Sequence, residues 1–338
     1  MYLNPVGSIT NKVFNKKYNI LCAPTHERWE SALAQTGHNF YAWRKHGVFK
    51  PGWNEQFAPI PPNYYLLDER DGDNQLWPWL NLDVALSQNK FGQYQIISQL
   101  ARLHQIPLIS VEHTASMEWW TKEQKKQLKE MRGIVNVFIT EWSLESWGWD
   151  NRNDTKVIRH CVDSELFKPD KNQARNNYIL TVGNDYIGRD SVLNFSQYKR
   201  VCLDNGLPVK PVGDTKGLSV APKSVTELIN EYQTSNVFLN THHVSPVPTS
   251  LLEAAACGCG IVSCNTCGIP EFFTHGENAM LYNNDKECLE YLLLLLNDTA
   301  FATKLGINAR NMIKEKCSLD RFIKEWTEVF NLACNMKG

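Results

Sequence analysis

Short apolar segments typical of buried strands alternate with helical patterns along most of this 338-residue chain. NILCAP at 19–24 precedes the helical pattern THERWESALAQTGH, and VALSQN at 84–89 precedes FGQYQIISQLARLHQ. The other predicted strands, in chain order, are FYAW, YYLLD, PLISVEHT, IVNVFIT, NYILTVGN, KPVGD, NVFLNTHH and GIVSC. Because strand–helix–strand units produce parallel strands covered by helices, the sequence predicts doubly wound α/β sheets.

The chain is longer than the size at which one hydrophobic core usually splits, and its 43% of apolar residues can fill two cores. A net charge of −1 gives no overall field that would favour nucleic acid or an anionic membrane. The N-terminus lacks the apolar stretch of a signal peptide, and the longest apolar run, YLLLLL at 291–296, is far shorter than a membrane span. We therefore expect a two-domain cytoplasmic protein.

Motifs that would indicate several other enzyme classes are missing from the sequence. VGN at 182–184 and VGD at 212–214 do not extend to the G-x-G-x-x-G of a dinucleotide site, and no Walker lysine pattern occurs. DERDGD at 68–73 is interpreted as a solvated turn rather than as a metal anchor of the D-x-D kind. A dehydrogenase and an NTPase are therefore disfavoured.

Four of the ten cysteines invite a zinc interpretation, but their spacings match no common zinc site. They are Cys257, Cys259, Cys264 and Cys267. Small buried thiols along a packed strand are the favoured alternative, and the scattered cysteines are expected to stay reduced. We expect neither a metal nor another cofactor.

The segment SPVPTSLLEAAACGCGIVSCNTCGIPEFF at 245–273 joins a loop, a helix, a buried strand and a glycine turn. The helix is predicted to begin with Thr249 or Ser250 as its N-cap and to end at Gly258. Free N–H groups at a helix N-terminus suit a phosphate, and Glu253, one turn further on, can accept hydrogen bonds from sugar hydroxyls. A nucleoside diphosphate offers both groups, although an ordinary helix packed on a sheet would have the same local pattern.

This segment resembles the donor-site signature of retaining GT-B glycosyltransferases of family 4, the glycosyl transferases group 1. The family pattern is E-G-F-G-x-x-x-x-E-A-M-A-C-G-x-P-V, followed by G-G-x-x-E. Residues in register with it are Glu253, Ala254, Cys257, Gly258, Val262, Gly268, Pro270 and Glu271. Ser245 stands where the family has its first glutamate, which approaches the transferred sugar. The donor-binding residues implied here are Ser245, Pro248, Thr249, Ser250 and, for the ribose, Glu253.

KVIRHCVDSELFKPD at 156–170 resembles the family's I-x-N-G-V-D-x-x-x-F-x-P boundary between two Rossmann-like domains, with His160 and Cys161 in place of Asn and Gly. The resemblance thus implies a GT-B fold with an acceptor-side domain at 1–165 and a nucleotide-sugar domain at 166–318. Residues 319–338 are expected to form a helix that packs back on the first domain. Its apolar stripe consists of Phe322, Trp326, Val329 and Phe330.

The resemblance also gives roles to three residues of the first domain. His113, after the strand PLISVE, matches the histidine that the family places beside the donor sugar at the cleft. Thr25 and His26 lie in the first strand-to-helix loop, which in the family faces the donor phosphates and the acceptor, but the family's glycine pair is missing here. A strand-end histidine, a helix cap and a surface histidine are the respective alternatives.

Neutralising the diphosphate requires a cation, because the leaving group gains negative charge as the glycosidic bond breaks. The family has an arginine and a lysine after the first strand of the second domain. In VGNDYIGRD this resemblance places Asn184 at the arginine position, beside Gly183, and Arg189 near the lysine position. Arg189 is therefore the predicted diphosphate ligand, unless it forms a surface salt bridge with a neighbouring aspartate, and Lys216 is a second candidate.

The resemblance implies that a hexose is transferred from a nucleoside diphosphate sugar, such as a UDP-sugar, to a hydroxyl of a glycan, lipid or other acceptor. Retention of configuration, no protein nucleophile, no metal and no obligate protein partner are expected. One alternative is a protein that binds nucleotide sugars without turnover. Another is a nucleic-acid or membrane-lipid acceptor held by a basic, aromatic segment, although such a charge run is usually a solvated helix face. That segment contains Trp119, Trp120, Lys122, Lys125, Lys126, Lys129 and Arg132.

Overall fold

A computed structural model describes residues 16–44, 52–68, 79–150 and 152–336, and contains two parallel sheets. The first sheet has seven strands in the order β3-β2-β1-β4-β5-β6-β7. Its strands are β1 (Asn19–Cys22), β2 (Asn39–Arg44), β3 (Tyr64–Asp68), β4 (Val84–Ser87), β5 (Leu108–Glu112), β6 (Val135–Phe138) and β7 (Thr155–Val157). DERDGD, the predicted solvated turn, lies mostly outside the described residues.

The second sheet has five strands in the order β12-β11-β10-β8-β9. They are β8 (Asn176–Val182), β9 (Val209–Val212), β10 (Ser235–Asn240), β11 (Gly260–Cys264) and β12 (Met280–Tyr282). In both sheets the strand that begins the domain lies in the interior, so that the strand order reverses there. Two such parallel sheets in one chain confirm the predicted doubly wound α/β class.

Eleven α-helices are found among the described residues. They are α1 (Glu27–Ala34), α2 (Gln93–Leu103), α3 (Lys122–Glu130), α4 (Glu141–Ser146), α5 (Asp190–Leu193), α6 (Phe195–Tyr198), α7 (Val225–Thr234), α8 (Thr249–Ala256), α9 (Asp285–Asn297), α10 (Thr299–Lys316) and α11 (Leu319–Asn335). A π-helical turn follows α6, and a 3-10 turn at Ile269–Glu271 follows β11. Among these helices, none is both long and apolar enough to cross a membrane.

Strand β1 shows why its sequence is apolar at every position after the first. Ile20 and Cys22 pack in one hydrophobic cluster, whereas Leu21 packs in a second cluster with Ile97 and Ala101 of α2. All three β1 side chains are fully buried. A strand covered by helices on both faces cannot alternate polar and apolar residues, and a continuous apolar run results.

Helix α11 returns to the first sheet, as predicted. The side chains of its apolar stripe are buried. The ring of Trp326 lies 5.7 Å from that of Trp29 on α1, and the ring of Phe330 lies 6.1 Å from that of Phe40 on β2. Packing of this amphipathic helix therefore joins the end of the chain to the first domain. The numerical boundary near residue 165, between β7 and β8, stays a prediction.

The start of helix α8 differs from its prediction. Helix α8 begins at Thr249, and its N-cap is Pro248, whose side chain has no hydrogen-bond acceptor to cap the helix. The predicted cap by Thr249 or Ser250 is therefore wrong, by one residue for Thr249 and by two for Ser250. Helix α1 has His26, the neighbour of Thr25, as its N-cap, without a side-chain cap bond. The predicted end of α8 at Gly258 is confirmed, because this glycine has a φ of +76°, which favours glycine.

Candidate functional site

An ion pair between the two domains holds the residue predicted to bind the ribose. Arg28 of α1 donates from Nη2 to Oε1 of Glu253 on α8 at 2.5 Å. The second carboxylate oxygen of Glu253 accepts a bond from the hydroxyl of Tyr232 at 3.1 Å. The side chain of Glu253 is only 7% exposed. A carboxylate offers about four lone-pair sites, so Glu253 retains capacity for ligand hydroxyls beside these two partners.

The ion pair forms part of the wall of a cavity of about 420 Å³ between the two domains. We call it the interdomain cavity and define it by six of its lining residues: His26, Arg28, Trp29, His160, Thr249 and Glu253. This volume lies in the range of small-molecule sites, roughly 300–1,000 Å³. Predicted site residues from both domains, His26 on one side and Thr249 and Glu253 on the other, are therefore brought together at one cavity.

His113 lies in the first domain directly after β5, and it does not line the interdomain cavity. Its ring meets that of Trp29 edge-on at 4.9 Å and stacks parallel to that of His160 at 5.7 Å. Its Nε2 is buried and has no hydrogen-bond partner among the described residues. Burial lowers the pKa of His113 to about 4, with a smaller effect from His26, so the ring is neutral near pH 7.

His160 was not among the predicted site residues, although it belongs to the cavity wall. It is 7% exposed, and its Nδ1 has no partner within the described chain. Burial lowers the pKa of His160 to about 3. The only signal in the sequence was its position in the boundary motif, where the resembling family has asparagine.

Thr25 does not line the cavity. Its N–H donates to Oε1 of Glu30 at 2.8 Å, and its hydroxyl lies within hydrogen-bond distance of both Glu30 and Gln88. Glu30 is completely buried, and burial raises its pKa. Of the two first-loop residues predicted to face the ligand, the structure thus places only His26 at the cavity.

The loops after β8 and β9 are tied together at the position where the resembling family has an arginine. Oδ1 of Asn184 accepts the N–H of Asp214 at 2.9 Å, and Gly183 donates its N–H to the carbonyl of Val212 at 3.0 Å. The predicted ligand Gly183 therefore lies in a loop that its neighbour Asn184 fixes. Asn184 takes a structural role instead of providing a charge.

Arg189 and Lys216 are both exposed, and neither lines the interdomain cavity. Within the described chain Arg189 forms no ion pair, so the alternative of a surface salt bridge with Asp185 or Asp190 is wrong. Asp190 instead accepts bonds from Ser196. Arg189 is thus still able to meet an anion, and its diphosphate contact stays a prediction.

Gly268, in the glycine turn of the signature, leaves no room for a ligand beside its backbone. A Cβ at Gly268 would lie 2.3 Å from the carbonyl oxygen of Pro246 and 2.7 Å from the methyl group of Thr140. Protein atoms of both domains therefore fill the space that the glycine leaves. Ser245 and Ser250 are partly exposed in the same region, and Pro248 is buried. Their donor contacts stay predictions.

Glu271, the last residue of the signature, bonds across the domain interface. Its carboxylate accepts the N–H groups of Glu141 at 3.2 Å and Trp142 at 2.8 Å, both in the first turn of α4. Arg159 lies 3.5 Å from the same carboxylate. The first N–H groups of a helix have no acceptor within the helix. Here a carboxylate from the other domain accepts two of them.

The two remaining alternatives concern cysteines and a basic helix. All ten cysteines are free, and Cys257, Cys259 and Cys264 are buried, whereas Cys267 is partly exposed. The described residues contain no group of three or more histidine, cysteine or acidic side chains placed to hold a metal ion. Helix α3 buries none of its residues, and Trp119 beside it is 54% exposed.

Comparisons with known proteins agree with this geometry. Residues 219–312, which include α8 and Glu253, match the family model described as "Glycosyl transferases group 1". No curated protein matches the chain in sequence.

Among solved structures, sucrose-phosphate synthase from Thermosynechococcus elongatus is similar with a TM-score of 0.71 at 12% identity, over 93% of this chain and 98% of that chain. HepE from Anabaena, in complex with UDP and glucose, has a TM-score of 0.70 at 12% identity, over 94% of this chain and 100% of that chain. A glycosyltransferase from Rickettsia africae has a TM-score of 0.63 at 14% identity, over 94% of this chain and 98% of that chain. Identities this low establish the fold alone, and the fold of this chain is GT-B, as predicted.

Proposed function

We propose that the protein transfers a hexose from a nucleoside diphosphate sugar to a hydroxyl acceptor. One observation carries the proposal: a single cavity is lined by Thr249 and Glu253 from the nucleotide-side domain and by His26 from the other domain. A transferase needs two substrates at one cleft, and this arrangement supports that requirement. The match of residues 219–312 to the group 1 family model adds support, because it contains Glu253.

In this proposal each group acts where its chemistry fits. The N-terminus of α8 and the cation Arg189 stabilise the departing diphosphate, while Glu253 accepts the ribose hydroxyls. His113 is neutral because burial lowers its pKa to about 4, and it stacks on His160 of the cavity wall. We propose that it approaches the sugar where charge develops. The acceptor attacks the face that the diphosphate leaves, assisted by that phosphate, so configuration is retained as in family 4. No protein nucleophile is needed, and no metal.

UDP-sugars are the first donors to test, because HepE structures, which share this fold, contain UDP or UDP-glucose. The acceptor is a glycan, a lipid or another hydroxyl compound. Steeply salt-dependent retention on nucleic acid or anionic vesicles would indicate a role for the basic helix α3. The cytoplasmic location also stays a prediction.

The test is a panel of UDP-, GDP-, ADP- and TDP-hexoses with nucleoside diphosphate release as the signal. We expect release from one donor, and an NMR spectrum of the product should show the donor's anomeric configuration. His104→Ala, at the C-cap of α2 and outside the cavity lining, should release the same nucleotide. Inverted product would refute retention, and no release or binding with any donor would refute the proposal.

A second candidate is a protein that binds nucleotide sugars without turnover. Two positions favour it: Ser245 replaces the family's first glutamate, and Asn184 is used to tie two loops together. Saturable donor binding in a thermal-shift panel, without any release over long incubation, would select this function. A ligand at about 100 times its dissociation constant stabilises a protein by about 2.7 kcal/mol, which such a panel detects.

A further inference from the structure

We propose that Arg28 of α1 is the cation that the first domain supplies to the donor diphosphate, and that it binds the diphosphate with the N–H groups that its bond to Glu253 leaves open. The proposal rests on the proposed function, because it names a further ligand for the same donor. Arg28 was not a predicted site residue, and it reaches the site only because α1 faces α8 across the domain interface.

The first argument is the distribution of positive charge. Arg189 and Lys216, the predicted cations of the second domain, are exposed and do not line the interdomain cavity. Asn184 has replaced the family's arginine. Arg28, in contrast, lines the cavity together with Thr249 and Glu253, the residues proposed to meet the phosphate and the ribose. Its guanidinium is therefore the permanent positive charge in the wall that these two residues share.

The second argument is unused bonding capacity. A guanidinium has five N–H donors in a planar fork that matches phosphate, and it stays charged at any working pH. Within the described chain Arg28 makes one hydrogen bond, the bond to Glu253. Its side chain is 16% exposed, and no nitrogen of it is a buried donor without a partner. The remaining donors are thus still open to an anion in the cavity.

The third argument is the way in which the side chain is held. The guanidinium carbon lies 5.9 Å from the ring centroid of Phe57 and 5.6 Å from that of Phe167. Two aromatic rings attract the cation and limit its movement, so the fork stays beside Glu253 without further hydrogen bonds. A diphosphate could then share the guanidinium with Glu253, because each anion needs different N–H groups of the fork.

Uridine, UMP and UDP share the same nucleoside and differ in the number of phosphates. Comparing their affinities therefore separates a direct contact between Arg28 and phosphate from an indirect effect of Arg28 on Glu253. We expect Arg28→Gln to weaken UDP binding at least tenfold in calorimetric titration and to change uridine binding less than twofold. Arg28→Lys keeps the charge but loses the fork, so its loss for UDP should be smaller, with uridine again unchanged. Arg200→Gln, at an exposed arginine that pairs with Asp285, is the matched control and should leave all three ligands unchanged.

The outcomes distinguish the two proposals. Equal losses for uridine and UDP in Arg28→Gln would show that Arg28 only orients Glu253, and unchanged UDP binding would show that it does not contact the ligand; either result overturns the inference. If Arg28→Gln does not fold, the same ligand series with Arg28→Lys decides, since a phosphate ligand must lose UDP affinity selectively. Wild-type protein that binds no nucleoside diphosphate at all would instead refute the proposed function.

Discussion

Two buried ion pairs in this protein have opposite surroundings. Lys90 and Glu112 meet at 2.9 Å inside the first domain, with side chains 2% and 3% exposed, and Nζ of Lys90 also donates to the carbonyl of Met131. Arg28 and Glu253 meet across the domain interface at a cavity, with side chains 16% and 7% exposed. The first pair has its partners within one domain, whereas the second keeps open donors beside a space for a ligand.

The comparison shows that a buried charge alone does not indicate a binding site. Desolvation is expensive for any ion, and both pairs compensate it with a close partner. Each cation also lies within 6 Å of two aromatic rings, those of Tyr94 and Trp147 in the case of Lys90. The pairs differ in their position, because Lys90 and Glu112 line no described cavity. Bonding capacity left over at a cavity therefore separates the two pairs better than burial does.

The largest expected effect would come from breaking the pair inside the first domain. Lys90→Met should lower the free energy of unfolding by about 3–5 kcal/mol, because Glu112 would remain buried without its counter-ion. The double variant Lys90→Met with Glu112→Leu should recover most of this loss, and urea unfolding measures both. A loss below about 1 kcal/mol in the single variant would show that this pair is not structural.

The second-largest effect is expected for His113→Ala, which should lower the rate of sugar transfer. We expect turnover to fall about 100-fold, since removing one group that stabilises transition-state charge typically costs about that much, and the dissociation constant of UDP to stay within about twofold. Steady-state kinetics and calorimetry test this, with His104→Ala as the control. Equal losses of turnover and UDP affinity would place His113 outside the reaction centre.

Glu253→Gln should weaken nucleotide binding by about 1.5–3 kcal/mol, the range for hydrogen bonds to a charged group. Glutamine is preferred to alanine because it can still form hydrogen bonds with Arg28 and Tyr232. A loss of nucleotide affinity is then not caused by a loss of folding stability. Glu231→Gln, at a pair with Lys210 that lies outside the interdomain cavity, is the matched control. Unchanged UDP affinity in a folded Glu253→Gln would remove this residue from the site.

Acid should destabilise the folded protein through His160, which lines the interdomain cavity with Arg28 and Glu253. Burial lowers the pKa of His160 from 6.5 to about 3. Between these two values the histidine is protonated in the unfolded chain and neutral in the folded chain. Stability is therefore complete above the unfolded pKa and falls as pH drops below it, by on the order of 2 kcal/mol at about pH 4.5. Urea unfolding at about pH 7 and 4.5 measures this difference in the free energy of unfolding, and His160→Asn should make the difference smaller. An equal difference in the variant would contradict the lowered pKa of His160.

Removing metal should have the smallest effect. Transfer rates in EDTA should stay within about twofold of the untreated rate, because the diphosphate is held by guanidinium groups and backbone amides in our proposal. A rate assay with and without the chelator measures this directly. Loss of activity that manganese or magnesium restores would show that a divalent ion carries the charge instead.

Local pattern was sufficient for one fully buried strand and for one amphipathic helix. The strand GIVSC was predicted at the bounds that β11 has, and the α11 stripe was predicted residue by residue. Helix α9 was missed, although Asn284 caps it and Glu287 stands three residues later, a recognisable helix start. The alternation of strands and helices, and not the family signature, was enough for the α/β class.

The site was less predictable because its contacts join distant parts of the chain. Arg28 and Glu253 are 225 positions apart, and neither position alone contains a signal for the other. The stack of His113 on His160 depends likewise on how the segment after β7 packs on the first domain. A signature can thus place residues on the correct loops, whereas domain packing decides which of them meet.

Two backbone amides of α4 donate hydrogen bonds to Glu271, so their exchange with solvent should report opening of the cleft. The N–H groups of Glu141 and Trp142 are held by a carboxylate of the other domain. Whenever the domains separate, these hydrogens must exchange with water, and they are protected whenever the domains close. Deuterium uptake at these two positions would therefore follow closure on a donor directly, in unlabelled protein and without any reference to turnover.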